Sequence, residues 1–378
     1  MLSDRELEYL TQAIQDIYSQ IEVELIISIC KRLKTYNSID GTLNWQLKKL
    51  SELKVLNKDL LKIFAKYTGK TEEAIRRMFE KARMGNIDKD YLQEAYEAGE
   101  TTITYENLKN SPVLQRLVDN SVYELRDRLS LINTKALESA RDGYIRSLER
   151  SYVEVMTGTY GLDEAIQRNV KDMAKKGFIG ASYESGRKIS LEAAVRRDTR
   201  SAVVHEVNEG ALQSAELMGT NYVQVSEHLG ARTSKTSKIA NHAGWQGKVY
   251  QIEGSSPEYG NLIEETGYGQ IEGLGGVNCR HRMFPYFPGI SVKKHESVDS
   301  KRSEEVFKAS QKQRALEREW RATKREAAAA KAIGADQSYK DCRKRCLEIS
   351  DEIEKLRKKV PELSGSGNRV LTWEEITG

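Results

Sequence analysis

Apolar residues recur at three- and four-residue steps near the start of the chain. Leu7, Leu10, Ile14, Ile17, Ile21 and Leu25 share one face of a helix predicted to run to about Tyr36. Ser3-Asp4-Arg5-Glu6 in front of it has the form of a capping box, in which hydroxyl and carboxylate satisfy free backbone N–H groups. Asn37-Ser38-Ile39-Asp40-Gly41 interrupts the pattern. It resumes as four predicted pieces, about 42–56, 57–67, 71–83 and 89–98, with Gly69 as a stop and Thr71 and Asp88 as N-caps. Residues 99–112 read as a connector. Two helices are expected over 113–131 and 133–156, and a third over 162–176, ended by Gly177.

The period then changes. Residues 181–190, with Gly186 inside, suit a short hairpin, and 191–218 is a strong helix rich in Ala, Glu and Arg. Residues 221–227 alternate as a strand does, with Tyr222, Val223 and Val225 as β-formers. From His228 to Gly289 the helical period is lost; 248–252 and Met283-Phe284 suit short strands among turns. Helices return over about 303–333 and 338–360, and the Ala327–Ala330 run favours helix. Residues 361–378 read as a flexible end with one apolar hook, Leu371-Thr372-Trp373. The fold class expected is mainly α. A long-helix N-terminal region and a helical C-terminal tail flank a small, Gly-rich α+β module. The corresponding division is 1–111, an N-terminal helical domain; 112–189, a long-helix connector; 190–290, the α+β module; and 291–378, a charged helical tail.

Composition sharpens this division. Of five prolines only Pro112 precedes residue 257, all five histidines lie between His205 and His295, and 11 of 27 glycines lie between His228 and Gly289. With 39% hydrophobic residues the chain can build a core, which excludes full disorder and collagen-like classes. No apolar run approaches the roughly 20 residues needed to span a bilayer, and the first residues lack the pattern of a signal peptide. Four cysteines, Cys30, Cys279, Cys342 and Cys346, are too sparse for a disulfide framework in 378 residues and suit a reducing compartment. Cys342 and Cys346 share a helix face but lack redox spacing.

Charge is nearly balanced, at a formal +4. From Ser291 onward 21 Lys and Arg stand against 16 Asp and Glu, so the tail carries the basic excess. The clusters around Arg343 and Arg357 are read either as a solvated helix face or as a stripe that neutralises phosphates. On the helix before the module, Arg197, Asp198 and Arg200 are expected to pair toward the acidic strand end near Glu227.

The most specific signal is the order of blocks inside the module. A helix, Arg197-Asp198-Thr199-Arg200 through Gly210, leads into the strand, then to Ser226-Glu227-His228-Leu229-Gly230. Next come Asn241-His242-Ala243-Gly244-Trp245-Gln246-Gly247-Lys248-Val249-Tyr250 and, last, Gly275-Gly276-Val277-Asn278-Cys279-Arg280-His281-Arg282. Together these blocks resemble tailed-phage minor capsid proteins of the Mu-F-like head morphogenesis group, most closely the phage minor capsid protein 2 branch. The resemblance is specific over about 197–289 and compatible with the helical N-terminal part. It implies a structural protein of the virion, made in the bacterial host cytoplasm and present in few copies around the portal ring, partly inside the capsid. The portal protein is the implied partner, through the N-terminal helices, with the major capsid protein and packaged double-stranded DNA as further neighbours. Roles in head assembly, DNA packaging or DNA ejection follow from the same likeness.

The residues themselves keep several chemistries open. His228, His242, Cys279 and His281 have the donor types of a structural zinc site, and Cys-x-His is a short ligand pair. Relatives in the wider Mu-F-like group carry more cysteines in these blocks, where this chain has Ser234 and Ser237. Cys279 is otherwise a small core residue, with His281 hydrogen-bonded in the turn. A Cys–His nucleophile, in a hydrolase or nuclease on a helical stalk, has the right residue types but no evident third group. Trp245 and Tyr250 are expected in the module core. Lys248 follows Gly247 but lacks the rest of a phosphate-binding loop. Gly267-Tyr268-Gly269 and Gly273-Leu274-Gly275-Gly276 read as flexible loops.

Overall fold

A computed structural model describes residues 4–277, 279–292 and 300–363. The first amphipathic pattern forms α1 (Asp4–Leu33). Ser3, at the head of the expected capping box, and the hook at 371–373 lie outside the described residues. The three pieces expected over 42–83 are one helix, α2 (Thr42–Arg83). Gly69 has open space where a Cβ would stand, and such a glycine costs about 1 kcal/mol relative to alanine. Burial of Phe64, Tyr67, Ile75, Met78 and Phe79 on the flanking turns offsets that cost. Thr71 is not a cap; its hydroxyl donates back to the Tyr67 carbonyl at 2.9 Å, inside the helix.

Asp88 does cap α3 (Lys89–Glu97), accepting from the backbone N–H groups of Asp90 and Tyr91. The connector that follows contains a single-turn helix, α4 (Tyr105–Lys109), set by a capping box between Thr104 and Asn107. The two helices expected over 113–156 are also one, α5 (Pro112–Met156), about 68 Å long at the usual rise. Pro112 sits in its first turn, where no N–H is needed. Leu129, Ile132, Ala136 and Ala140 carry one buried stripe across the predicted break. α6 (Leu162–Lys176) ends at Gly177 as expected. The hairpin is β1 (Ile179–Ser182) with β2 (Lys188–Ser190), antiparallel. It feeds α7 (Leu191–Met218), capped by the Ser190 side chain and closed by left-handed Gly219.

α1, α2, α5, α6 and the first half of α7 surround one large core. Ile14, Ile21, Leu25 and Ile29 meet Leu56, Leu60, Phe79, Leu125, Tyr144, Val195 and Val203 there. α10 (Ser300–Ile333) contributes Ala329 to the same cluster. α10 also pairs antiparallel with α11 (Asp336–Lys359), burying Leu316, Trp320, Cys346, Ile349 and Ile353 between them. An arginine joins this C-terminal hairpin to the N-terminal helices. Arg325 donates to the Ala174 and Lys175 carbonyls at the end of α6 and pairs with Glu22 of α1 at 3.2 Å. Glu22 also accepts from the Phe178 N–H, so its carboxylate is satisfied although buried.

The α+β part is a four-stranded sheet in the order β5-β4-β3-β6. Its strands are short: β3 (Tyr222–Val225), β4 (Val249–Gln251), β5 (Gly260–Asn261) and β6 (Met283–Pro285). β3 is antiparallel to both β4 and β6, and β4 is parallel to β5. Two single-turn helices, α8 (His242–Trp245) and α9 (Leu262–Thr266), sit in the connections. The second half of α7 covers the sheet: Ala211 and Ala215 pack with Val223, Trp245, Tyr250, Leu262, Leu274 and Met283. The protein is mainly α with a small α+β region.

Candidate functional site

The sheet register brings the His-bearing blocks together. Val225 pairs with Met283, and beyond it Ser226 donates to the Arg282 carbonyl at 2.7 Å. The chain leaving β3 therefore runs beside the chain entering β6, which sets His228 next to His281. On the other side Val225 donates to the Lys248 carbonyl, and the His228 N–H reaches Gln246 Oε1 at 3.2 Å. α8 starts at His242, whose ring stacks at 4.5 Å on Trp245 one turn later. The Trp245 indole N–H is held by the Ile239 carbonyl at 2.9 Å.

The last member arrives on a coiled loop. Residues 267–276 are not loose: Leu274 donates to Thr266, Gly276 to Gly273, and Val277 to Ile271, all within 3.0 Å. A Cβ on Gly273 would lie 2.0 Å from the Gly267 carbonyl oxygen, and one on Gly276 would lie 2.4 Å from that of Ile271. Only glycine permits this close approach. The coil presents the Glu272 carbonyl to His242 and delivers Cys279 into the module core.

His242, Cys279 and His281 are each less than 4% exposed. The Cys279 Sγ stands 3.5 Å from His281 Nδ1 and 3.9 Å from His242 Nδ1. All three donor atoms lie within 4.8 Å of one another. The fourth residue singled out by sequence, His228, is outside this triangle. It is half-buried, stacks on His281 at 4.3 Å and places Nδ1 at 3.0 Å from the Leu229 carbonyl.

The outer nitrogens of both buried rings are fixed. His242 Nε2 lies 2.8 Å from the Glu272 carbonyl, which can only accept, so Nε2 carries the proton. His281 Nε2 lies 3.0 Å from Gln246 Oε1. That oxygen is identified by the backbone N–H of His228 that it also accepts, so His281 likewise donates from Nε2. Burial lowers the His242 pKa and takes that of His281 well below the usual range, with His228 and His242 adding to the effect on His281. Both rings are neutral, with Nδ1 lone pairs turned toward sulfur. Burial pushes the Cys279 thiol up. Sequence reasoning missed Gln246 and Glu272. Gln246 had no periodic or motif signal, and Glu272 acts through its backbone, which no side-chain pattern reports.

Other expectations are corrected. Arg200 pairs with Glu8 of α1, and Arg197 with Asp198 and the Tyr183 hydroxyl, rather than toward Glu227. The Arg200–Glu8 ion pair ties α7 to the helical body, and the Arg197–Tyr183 hydrogen bond ties it to the hairpin. Lys248 donates to the Gly244 carbonyl at 2.7 Å. Trp245 and Tyr250 are in the module core, as expected. In the tail, Arg345 is shared among Glu319, Glu348 and Glu352, and Lys355 and Lys358 pair one turn back with Asp351 and Glu354. Among the described residues no helix is long and apolar enough to cross a membrane.

Comparison with known proteins gives a family-model match, phage minor capsid protein 2, over residues 2–360. A protein named "Structural protein" from Lactococcus phage LL-H is 27% identical over 262 residues, covering 68% of this chain and 67% of its own length. Another of the same name, from Lactococcus phage mv4, is 29% identical over 101 residues, covering 27% of this chain and 81% of its own. No solved structure matches. The family match extends from α1 through α11, over the helical body, the sheet module and the C-terminal hairpin alike, and the chain belongs to the phage minor capsid protein 2 family of structural phage proteins.

Proposed function

We propose that this protein is a minor component of the phage head, bound to the portal and lying partly inside the capsid. There, several copies around the portal ring would aid head assembly and DNA packaging or exit. The observation that carries the reading, beyond the family itself, is an uncovered apolar stripe on α2. Leu43, Leu47, Leu50 and Leu61 are 71%, 57%, 54% and 59% exposed. At 100° per residue they fall within about 60° of one another, along about 27 Å of helix. Leu43, Leu47 and Leu50 form one patch over two turns, and Leu61 returns to the same face beyond exposed Lys54; such a face is the form a helix takes when it docks on a partner. The portal subunit is the occupant proposed. A location inside the portal vertex would also bring the chain against the major capsid protein and packaged double-stranded DNA.

A structural role suits the rest of the molecule. The Cys279 thiol is buried and its pKa raised, which disfavours the thiolate that a cysteine nucleophile needs. The paired basic residues of α11 argue for a solvated face over a phosphate-binding stripe.

Quantitative mass spectrometry of purified particles, before and after DNA ejection, tests the location. A low, fixed ratio to the portal subunit is expected; absence from particles overturns the reading. Loss after ejection would assign a role in DNA delivery. Leu47→Glu, made in the phage, should yield a folded chain that no longer enters particles. Normal incorporation would remove the stripe as the docking surface.

A further inference from the structure

We propose that His242, Cys279 and His281 bind one zinc-class divalent metal ion, through Nδ1, Sγ and Nδ1, as a staple inside the sheet module. The inference does not depend on where in the particle the protein sits.

Three observations converge. The first is spacing. Zinc takes nitrogen at about 2.0–2.1 Å and thiolate sulfur at about 2.3 Å in a tetrahedron, which sets sulfur-to-nitrogen edges near 3.6 Å. Those two edges here are 3.5 and 3.9 Å; the nitrogen-to-nitrogen edge, within 4.8 Å, would close to about 3.3 Å on binding. The second is orientation. Metal-bound histidines hold their other ring N–H on a carbonyl, amide or carboxylate, which aims the ligating nitrogen. Both rings are held this way, by the Glu272 carbonyl and by Gln246 Oε1.

The third is a deficit of protons. Two Nδ1 lone pairs converge on one thiol. Its single proton can satisfy one of them and leaves the other a buried acceptor without a donor, a state that folded proteins rarely keep. A metal ion satisfies all three atoms at once. Binding forms one metal–sulfur and two metal–nitrogen bonds, and the thiol proton leaves to solvent. Arg232, Arg282 and Arg280 are nearby and oppose a cation. That favours an ion with strong thiolate bonding over magnesium or calcium, which need oxygen donors. Three protein ligands leave one tetrahedral position for water or a further donor.

A staple suits this module physically. Its strands are two to four residues long. Its ligands come from α8 and from the chain entering β6, elements that the sheet joins only through β3. Small, irregular cores of this kind gain most from a cross-link.

The test uses the full chain, purified without a metal-affinity tag from zinc-supplemented cells. Elemental mass spectrometry should find about one zinc per chain. His242→Ala and Cys279→Ser should each lower that at least about tenfold, while Cys342→Ser, at a buried cysteine outside the site, should not. Wild-type protein reconstituted with cobalt(II) should show tetrahedral d–d bands and a thiolate-to-cobalt charge-transfer band, a readout that requires no variant to fold. Substoichiometric zinc together with no cobalt–thiolate band overturns the proposal. So does zinc retained in full by Cys279→Ser, or lost equally from Cys342→Ser.

Discussion

The helical body and the sheet module solve the same problem with different materials. In the body, continuous apolar stripes on helices of 30, 42 and 45 residues interdigitate around one core, and polar groups enter it sparingly. In the module, strands are too short to bury much, and position is set by turns, backbone hydrogen bonds and buried polar side chains. α7 belongs to both: Val195, Val203 and Val207 face the large core, Ala211 and Ala215 the small one. Each region is therefore fragile at a different kind of contact. The body should be most sensitive where its few buried charges are, and the module where a single hydrogen bond or loop contact holds a turn.

The sharpest way to break the body is at Arg325. Its guanidinium satisfies two terminal carbonyls of α6 and the buried carboxylate of Glu22, and the pair is 12% and 5% exposed. Cations at helix C-termini are favourable, and removing one member of a buried pair leaves the other charge uncompensated. Arg325→Ala should cost about 3–5 kcal/mol, read as a lower denaturation midpoint, with the α10–α11 hairpin losing hydrogen-exchange protection first. A loss under about 1 kcal/mol would mean the hairpin is held by α10 and α11 alone.

A second test sits at the junction. Glu206 on α7 is fully buried, with Ser121 donating to Oε2 and no partner on Oε1. Burial, with a smaller push from Glu209, raises its pKa from 4.5 to about 7. The folded state therefore holds a proton that the unfolded chain releases above about pH 4.5. This contribution is fully present below pH 4.5 and is lost as pH rises through 7. The loss is on the order of 3 kcal/mol at most. Glu206→Gln, which keeps the shape without the charge, should flatten that part of the stability profile between pH 5 and 8. An unchanged slope would assign the pH dependence elsewhere.

The same contrast explains what the sequence disclosed. Helix positions in the body were legible because burial imposes a 3.6-residue period over many turns. The strong helix at 191–218 and the caps at Asp88 and Gly177 stood where the residue types put them. In the long helices the errors were of one kind: breaks placed near Leu56, Gly69 and Ile132, where local propensity dips but the buried stripe continues. Propensity differences of about 1 kcal/mol are small beside the packing of a helix face. In the module the residue types at His242, Cys279 and His281 were visible, but their meeting was not. It depends on the β3–β6 register and on a coil of glycines whose contacts are backbone to backbone. His228 looked equivalent to the others in sequence. In the fold its ring lies against His281 and its Nδ1 turns to the Leu229 carbonyl instead.

For the module the predicted effect is smaller and more local. The Tyr250 hydroxyl donates to the Trp245 carbonyl at 2.7 Å in a buried setting, closing the turn between α8 and β4. Tyr250→Phe keeps the ring in the core and leaves that carbonyl short of a donor, which should cost about 1–2 kcal/mol. Hydrogen exchange should quicken around residues 242–251 while protection in α1 and α5 stays unchanged. Equal loosening of both regions would show that they unfold as one unit and would dissolve the comparison.

The smallest effect runs the other way. Gly69 lies within α2, has nothing within 4 Å of its would-be Cβ, and has no positive φ. Glycine there carries an entropic cost that no contact requires. Gly69→Ala should stabilise the protein by about 0.5–1 kcal/mol, seen as a small rise in the denaturation midpoint and slower exchange over the turns from Phe64 to Ile75. The sign is the informative part. Stabilisation means α2 is one continuous element whose glycine is merely tolerated. Destabilisation would mean that α2 bends at Gly69 in the working protein, with the exposed leucines on one side of the bend and the buried stripe of Ile75, Met78 and Phe79 on the other.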